Sequence, residues 1–142
     1  MSKVFYDKPI IDQIFEEFNN KGYKSDQDKL INLVRRLPPE DINKQDKDGS
    51  TALTYASYYK CIEIVKLLLE HRDIDINKQD KYESTALTYA SSCNCIEIVK
   101  LLLEHRDVDI NIQNCIGYTA LTIAVEGRFI EILELLKKYQ KN

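Results

Sequence analysis

The stretch KQDKDGSTALTYASYYKCIEIVKLLLEHRDI (Lys44–Ile74) returns almost letter for letter as KQDKYESTALTYASSCNCIEIVKLLLEHRDV (Lys78–Val108), 34 residues later. Aligned from Asp41, the period divides the chain into units 41–74, 75–108 and 109–142. The first two units differ at six of 34 positions, and the third still matches the first at 15. A unit this short cannot bury its own apolar surface. Repetition at this spacing marks a solenoid, in which each copy is the wall its neighbour packs against.

Each unit reads as finger, helix, turn, helix. DINKQDKDGS (41–50) is polar and punctuated by Asp, Asn and Gly, which predicts a turn-rich loop. Thr51 then stands as N-cap of a short helix, TALTYASY. A second helix is expected from Ile62 to His71. Its polar residues Glu63, Lys66 and Glu70 fall three and four apart and draw one charged stripe. Ile62, Ile64, Val65 and Leu67–Leu69 fill the rest of the circumference. A helix so apolar must be packed on several sides, with the stripe on the outer, convex surface.

These units resemble ankyrin repeats, whose pattern D-x-x-G-x-T-P-L-H-x-A precedes an E-I-V-x-x-L-L helix. The corresponding stretches are DKDGSTALTYA, DKYESTALTYA and NCIGYTALTIA, followed by EIVKLLL twice and EILELLK. The resemblance implies an all-α ankyrin-repeat solenoid of stacked helix-turn-helix units with finger loops. Departures are specific. Ala52, Ala86 and Ala120 replace the usual Pro, and Thr54, Thr88 and Thr122 replace the His and the hydrogen bond it supplies. Glu83 takes the place of the turn glycine in unit two, where a positive φ would mean strain or a reshaped finger. Lys60, Asn94 and Arg128 stand at the inter-helix Gly position.

Residues 1–40 follow the pattern poorly and are expected to form a helical N-terminal cap, a degenerate repeat without its finger. KLINLVRRL (29–37) aligns with a second helix that Pro38–Pro39 would end. Upstream, Pro9 suits the first position of a helix whose apolar face is Ile10, Ile11, Ile14, Phe15 and Phe18. Unit three reads as repeat and C-terminal cap, because Lys137 replaces Leu69 and Leu103, as Arg35 does at the other end.

Net charge is −3, which argues against a nucleic-acid partner. No apolar run reaches membrane-spanning length, so no membrane partner is expected. The opening MSKVFYDKPIIDQIFEEF lacks the apolar core of a secretory signal, and the reading is a cytoplasmic monomer with reduced thiols. No phosphate-binding glycine loop or His-Glu-x-x-His motif occurs, and the chain reads as no enzyme, with no cofactor. His71 and His105 are one repeat position at the end of a helix, where positive charge is favourable. Cys61 and Cys95 are likewise equivalent positions, and Phe129 at that place in unit three points to an apolar pocket. Packed helices lie about 8–10 Å apart, too far for a disulfide between them. Four convergent metal-binding thiolates are not expected.

Five of the six differences between units one and two lie at the finger tip or the end of the first helix: Asp48/Tyr82, Gly49/Glu83, Tyr58/Ser92, Tyr59/Cys93 and Lys60/Asn94. The sixth is Ile74/Val108. The family resemblance implies that a partner meets these same surfaces, along a concave groove. Carried over by position, the candidates are Lys47, Asp48, Ser50, Tyr58 and Tyr59 in unit one. Unit two supplies Lys81, Tyr82, Ser84, Ser92 and Cys93, and unit three Cys115, Ile116, Tyr118 and Glu126. Exposed aromatics among small polar residues suit contact with another protein. Tyr55 and Tyr89 read instead as packing within the repeat. The wording also resembles ankyrin proteins of large DNA viruses and intracellular bacteria, which implies a host protein as partner. The other reading is a structural or self-associating scaffold.

Overall fold

The computed structural model describes residues 8–141. Residues 1–7 of the expected cap and residue 142 of the third unit lie outside the described residues. Eight α-helices follow one another: α1 (Ile10–Lys21), α2 (Gln27–Arg36), α3 (Ala52–Tyr58), α4 (Ile62–Leu69), α5 (Ala86–Ser92), α6 (Ile96–Leu103), α7 (Ala120–Gly127) and α8 (Ile130–Lys141). Among the described residues there is no strand. The odd-numbered helices form an inner row and the even-numbered an outer row, each helix packed on its counterpart in the next unit. One continuous core runs the length of the stack, from Ile11, Ile14 and Phe18 through Ile64, Leu68, Ile98 and Leu102 to Ile132 and Leu136. Each such side chain contributes about 1.5–3 kcal/mol when fully buried. Glu63, Lys66 and Glu70 are exposed, as the charged stripe predicts.

The inner helices start the same way three times. Thr51 Oγ1 accepts the Thr54 backbone N–H at 3.1 Å, and Thr54 Oγ1 accepts the Thr51 backbone N–H at 2.8 Å. Thr85–Thr88 and Thr119–Thr122 repeat this reciprocal box. The box answers the missing His: a threonine three residues into the helix satisfies the N-cap amide itself. The inner helices end where Lys60, Asn94 and Arg128 take φ of 59°, 52° and 57°. Glu83 also has φ 59°, yet its finger keeps the shape of the others. Glu83 N–H donates to the Asp80 carbonyl at 2.9 Å, as Gly49 does to Asp46 at 3.0 Å. The strain is therefore carried locally, without reshaping the finger.

Two expected boundaries shift. The outer helices stop at Leu69 and Leu103, not at His71, because the chain tightens there: His71 N–H donates to the Leu68 carbonyl. That turn brings Ile74 and Ile76 into the core. Pro9 is the N-cap of α1 rather than its first residue.

Adjacent units are stapled as well as packed. Asn43 Nδ2 donates to the Asp73 carbonyl at 2.7 Å, and its Oδ1 accepts the Asp75 N–H. Asn77 repeats both bonds toward Asp107 and Asp109. Gln45 donates to Gly49 and Gln79 carbonyls, and Gln79 to those of Glu83 and Gln113. Finger two also joins finger one through Lys81 N–H to the Asp48 carbonyl, 2.9 Å. At the cap, buried Glu17 of α1 accepts the Asp26 N–H at the start of α2 and pairs with Lys21 and Lys29, each at 3.2 Å. Burial is the largest influence on this carboxyl and would raise its pKa. The Asp26 amide and the two lysines together outweigh it and hold the pKa below the usual carboxylate value.

Arg35 and Lys137 are exposed at the two ends of the outer row. The inner half of unit three is less like a cap. Val125 is 52% exposed where Ser57 and Ser91 are fully buried, and Ile130 is exposed where Ile62 and Ile96 are half-buried.

Candidate functional site

The concavity between fingers one and two has a volume of about 500 Å³. Its floor is the inner helices α3 and α5, and its walls are the two finger loops. Of the residues the sequence singled out, Asp48, Ser50, Tyr58, Tyr59, Lys81, Tyr82 and Ser84 line it. They differ in what they offer. Tyr82 is 53% exposed and Tyr58 41%, whereas Ser84 is only 8% exposed and presents little surface. Tyr59 is half-buried: it stacks on Phe18 of the cap at 6.0 Å between centroids and meets Tyr23 edge-on at 5.0 Å. Tyr58 meets Tyr89 edge-on at 5.5 Å, so the groove floor is a run of aromatic rings from cap to second repeat.

The other candidates lie elsewhere. Lys47 is exposed on the cap side of finger one, beside a second concavity that includes Phe15 and Glu16. Ser92 is exposed but donates to the Tyr89 carbonyl at 2.9 Å. The half-buried Cys93 thiol donates to the Tyr58 carbonyl at 3.3 Å. Cys115 and Ile116 are exposed on finger three, Tyr118 is half-buried, and Glu126 is exposed near the end of α7. The backbone N–H of Cys115 ties finger three to the Tyr82 carbonyl at 2.9 Å.

Asn19, Thr54, Tyr55, Asp80 and Tyr89 also line this concavity and were not among the candidates read from sequence, nor was Asp46 just behind it. Tyr55 and Tyr89 line the groove, and their hydroxyls donate to Asp46 and Asp80, nine residues back in the same finger. Each carboxylate is shared. Asp46 Oδ1 accepts the N–H groups of Asp48 and Ser50 while Oδ2 takes Tyr55. Asp80 does the same with Tyr82, Ser84 and Tyr89. The finger's shape is thus fixed to the helix beneath it. Burial first, and the adjacent aspartate second, push both phenols well above the ordinary tyrosine range, so they remain neutral donors. The available signal was the joint change in unit three, where Asp becomes Asn114 and Tyr becomes Ile123.

Lys81 bridges the groove wall. Its ammonium lies 3.1 Å from Asp48 Oδ1 and 5.1 Å from the centroid of the Tyr82 ring. The hydrogen bond to Asp48 raises its pKa, with Tyr82 adding to the effect. Cys61 and Cys95 are buried against the core, and burial raises the pKa of the Cys61 thiol despite a Gln27 Nε2 donor at 3.3 Å. His71 and His105 are half-buried beyond the helix ends. Among the described residues no three His, Cys, Asp or Glu side chains converge as a metal-holding group. No helix among them is long and apolar enough to cross a membrane.

Comparison with known proteins agrees with this geometry. A search of curated proteins gives no significant match. The family model for ankyrin repeats (3 copies) matches residues 23–114 and 74–142, reaching from the turn after α1 through α8. Ankyrin repeats are generally non-catalytic modules that bind other proteins. With most of its length matched and its inner and outer helix rows, the chain belongs to the ankyrin-repeat family.

Proposed function

We propose that this chain is a non-catalytic protein–protein interaction module whose partner enters the groove between fingers one and two. The observation that supports this reading is the placement of Tyr58 and Tyr82, two exposed aromatics, in the lining of one concavity held by stapled fingers. A preformed groove costs the partner little ordering, and large rings at its rim are the residue type that dominates interface energies. The protein acts as a monomer in this reading. Its resemblance in wording to viral and intracellular-bacterial ankyrin proteins supports a host protein as partner and the cytoplasm as the place.

The test is affinity capture with wild type, the folded Tyr58→Ala/Tyr82→Ala variant and a convex-face control, Glu63→Ala/Lys100→Ala. Captured proteins that bind the groove variant as well as wild type would sink the reading. A self-associating scaffold is the second reading, supported by the exposed Val125 and Ile130 on unit three. Light scattering across concentration separates the two, because only self-association raises the mass and only then does Val125→Glu/Ile130→Glu lower it.

A further inference from the structure

We infer that the groove between the first two fingers is a seat for one cationic side chain, arginine or lysine, presented by the protein partner. This rests on the groove reading above and adds the chemistry of what enters.

Three observations converge. First, the lining combines aromatic rings with carboxylates. Tyr58, Tyr82 and Tyr89 surround a space whose lining charges are Asp48, Asp80 and Lys81, an acidic excess. Asp46 lies just behind, held by Tyr55. Ring faces and carboxylates attract the same kind of ligand, a cation partly stripped of water. Second, the chain's own Lys81 already makes the contact. It sits over the Tyr82 ring and on the Asp48 carboxylate, which shows that both are oriented to receive an ammonium group. That pair is half-exposed, so it holds Lys81 weakly and an incoming cation can take its place. Third, the seat occurs once. Asp48, Tyr82 and Ile116 are equivalent positions, as are Lys47, Lys81 and Cys115. Between fingers two and three, the acid is replaced by Tyr82 and the ring by Ile116. The space between fingers two and three therefore lacks both the Asp48 carboxylate and the ring that make the seat. The volume of about 500 Å³ accommodates a long side chain and the backbone that bears it.

The experiment uses the whole protein and four immobilised pools of short peptides, each with one fixed central residue: Arg, Lys, Leu or Glu. Retention of the Arg and Lys pools should exceed that of the Leu and Glu pools by about tenfold and fall with added salt. The Arg and Lys pools separately show which cation fits better. Asp48→Asn and Tyr82→Leu, at a half-exposed and an exposed side chain and checked for folding by circular dichroism, should flatten that preference. Lys81→Ala should increase retention of the cationic pools, a gain that unfolding cannot mimic. Equal retention of all pools, or a cation preference unchanged in Asp48→Asn, overturns the seat. If the Leu or Glu pool is retained best and Tyr58→Ala abolishes it, the seat is overturned while the groove reading stands. If Tyr58→Ala/Tyr82→Ala leaves all retention intact, both fall together.

Discussion

The two halves of the groove share a backbone and differ in chemistry. Toward the cap, repeats one and two hold their fingers by a tyrosine hydroxyl on an aspartate, Tyr55 on Asp46 and Tyr89 on Asp80. In repeat three the same two places are Ile123 and Asn114. Asn114 Oδ1 still accepts the N–H groups of Ile116 and Tyr118, so the finger keeps its turn. What disappears is the second acceptor oxygen, and with it the donor it needed. A half-buried polar pair is kept whole or removed whole, because one member left alone costs more than losing both. The first half therefore carries paired phenols and carboxylates where the second carries Ile123 and Asn114, on a common scaffold.

The largest effect comes from making the first half imitate the second. Tyr89→Ile leaves an Asp80 oxygen without its partner and should lower unfolding stability by about 2 kcal/mol in urea titrations. Adding Asp80→Asn should recover about half of that loss, since the pair then matches repeat three. A double variant no more stable than the single one would break the comparison.

The next concerns the cap on which the first half leans. Glu17 has a folded pKa below its ordinary 4.5. A depressed carboxyl contributes stability above its unfolded pKa and loses it as pH falls through the folded one. Glu17→Gln should cost about 1.5 kcal/mol near neutrality, with the gap to wild type closing as pH drops below 4.5. A gap that stays constant from neutral to acid pH would show that the charge is not what matters.

A smaller effect, of opposite sign, is expected at Ser57 and Ser91. Both hydroxyls are fully buried without a hydrogen-bond partner, and repeat three has Val125 there. Ser91→Ala should raise stability by about 1 kcal/mol, read as a higher urea midpoint. Loss of stability would mean that the hydroxyl has a partner in solution.

The smallest is Glu83→Gly, which restores the residue that repeats one and three use at this turn. Relief of the positive φ, offset by glycine's greater freedom when unfolded, should stabilise by under about 1 kcal/mol. Asn94→Gly should gain less than Lys60→Gly, because asparagine tolerates this backbone region best.

Much of this was legible in advance. The 34-residue period, the Thr51 cap and the stripe Glu63, Lys66 and Glu70 are consequences of local chemistry and helical spacing, which a single sequence displays. The groove residues Asp48, Tyr58, Lys81 and Tyr82 were legible too, because near-identical copies make their few differences conspicuous. Tyr55 and Tyr89 were hidden by the same device: identical in both copies, they looked like packing. Their role depends on a finger folding back over its own helix, a contact that no helical or strand periodicity encodes. Tyr59 differs between copies and looked like surface, yet the cap's Phe18 and Tyr23 cover much of it.

The sequence by itself determined the repeat, the helices and their buried stripes, since these follow from which residues recur at which spacing. The tertiary structure alone decided which tyrosines face the groove, that Ser84 turns inward, and that Lys81 of one finger reaches Asp48 of another. The physical reason is that those outcomes depend on a finger meeting its own helix and its neighbouring finger, contacts that no local periodicity encodes, and their energies exist only once the units have folded and stacked.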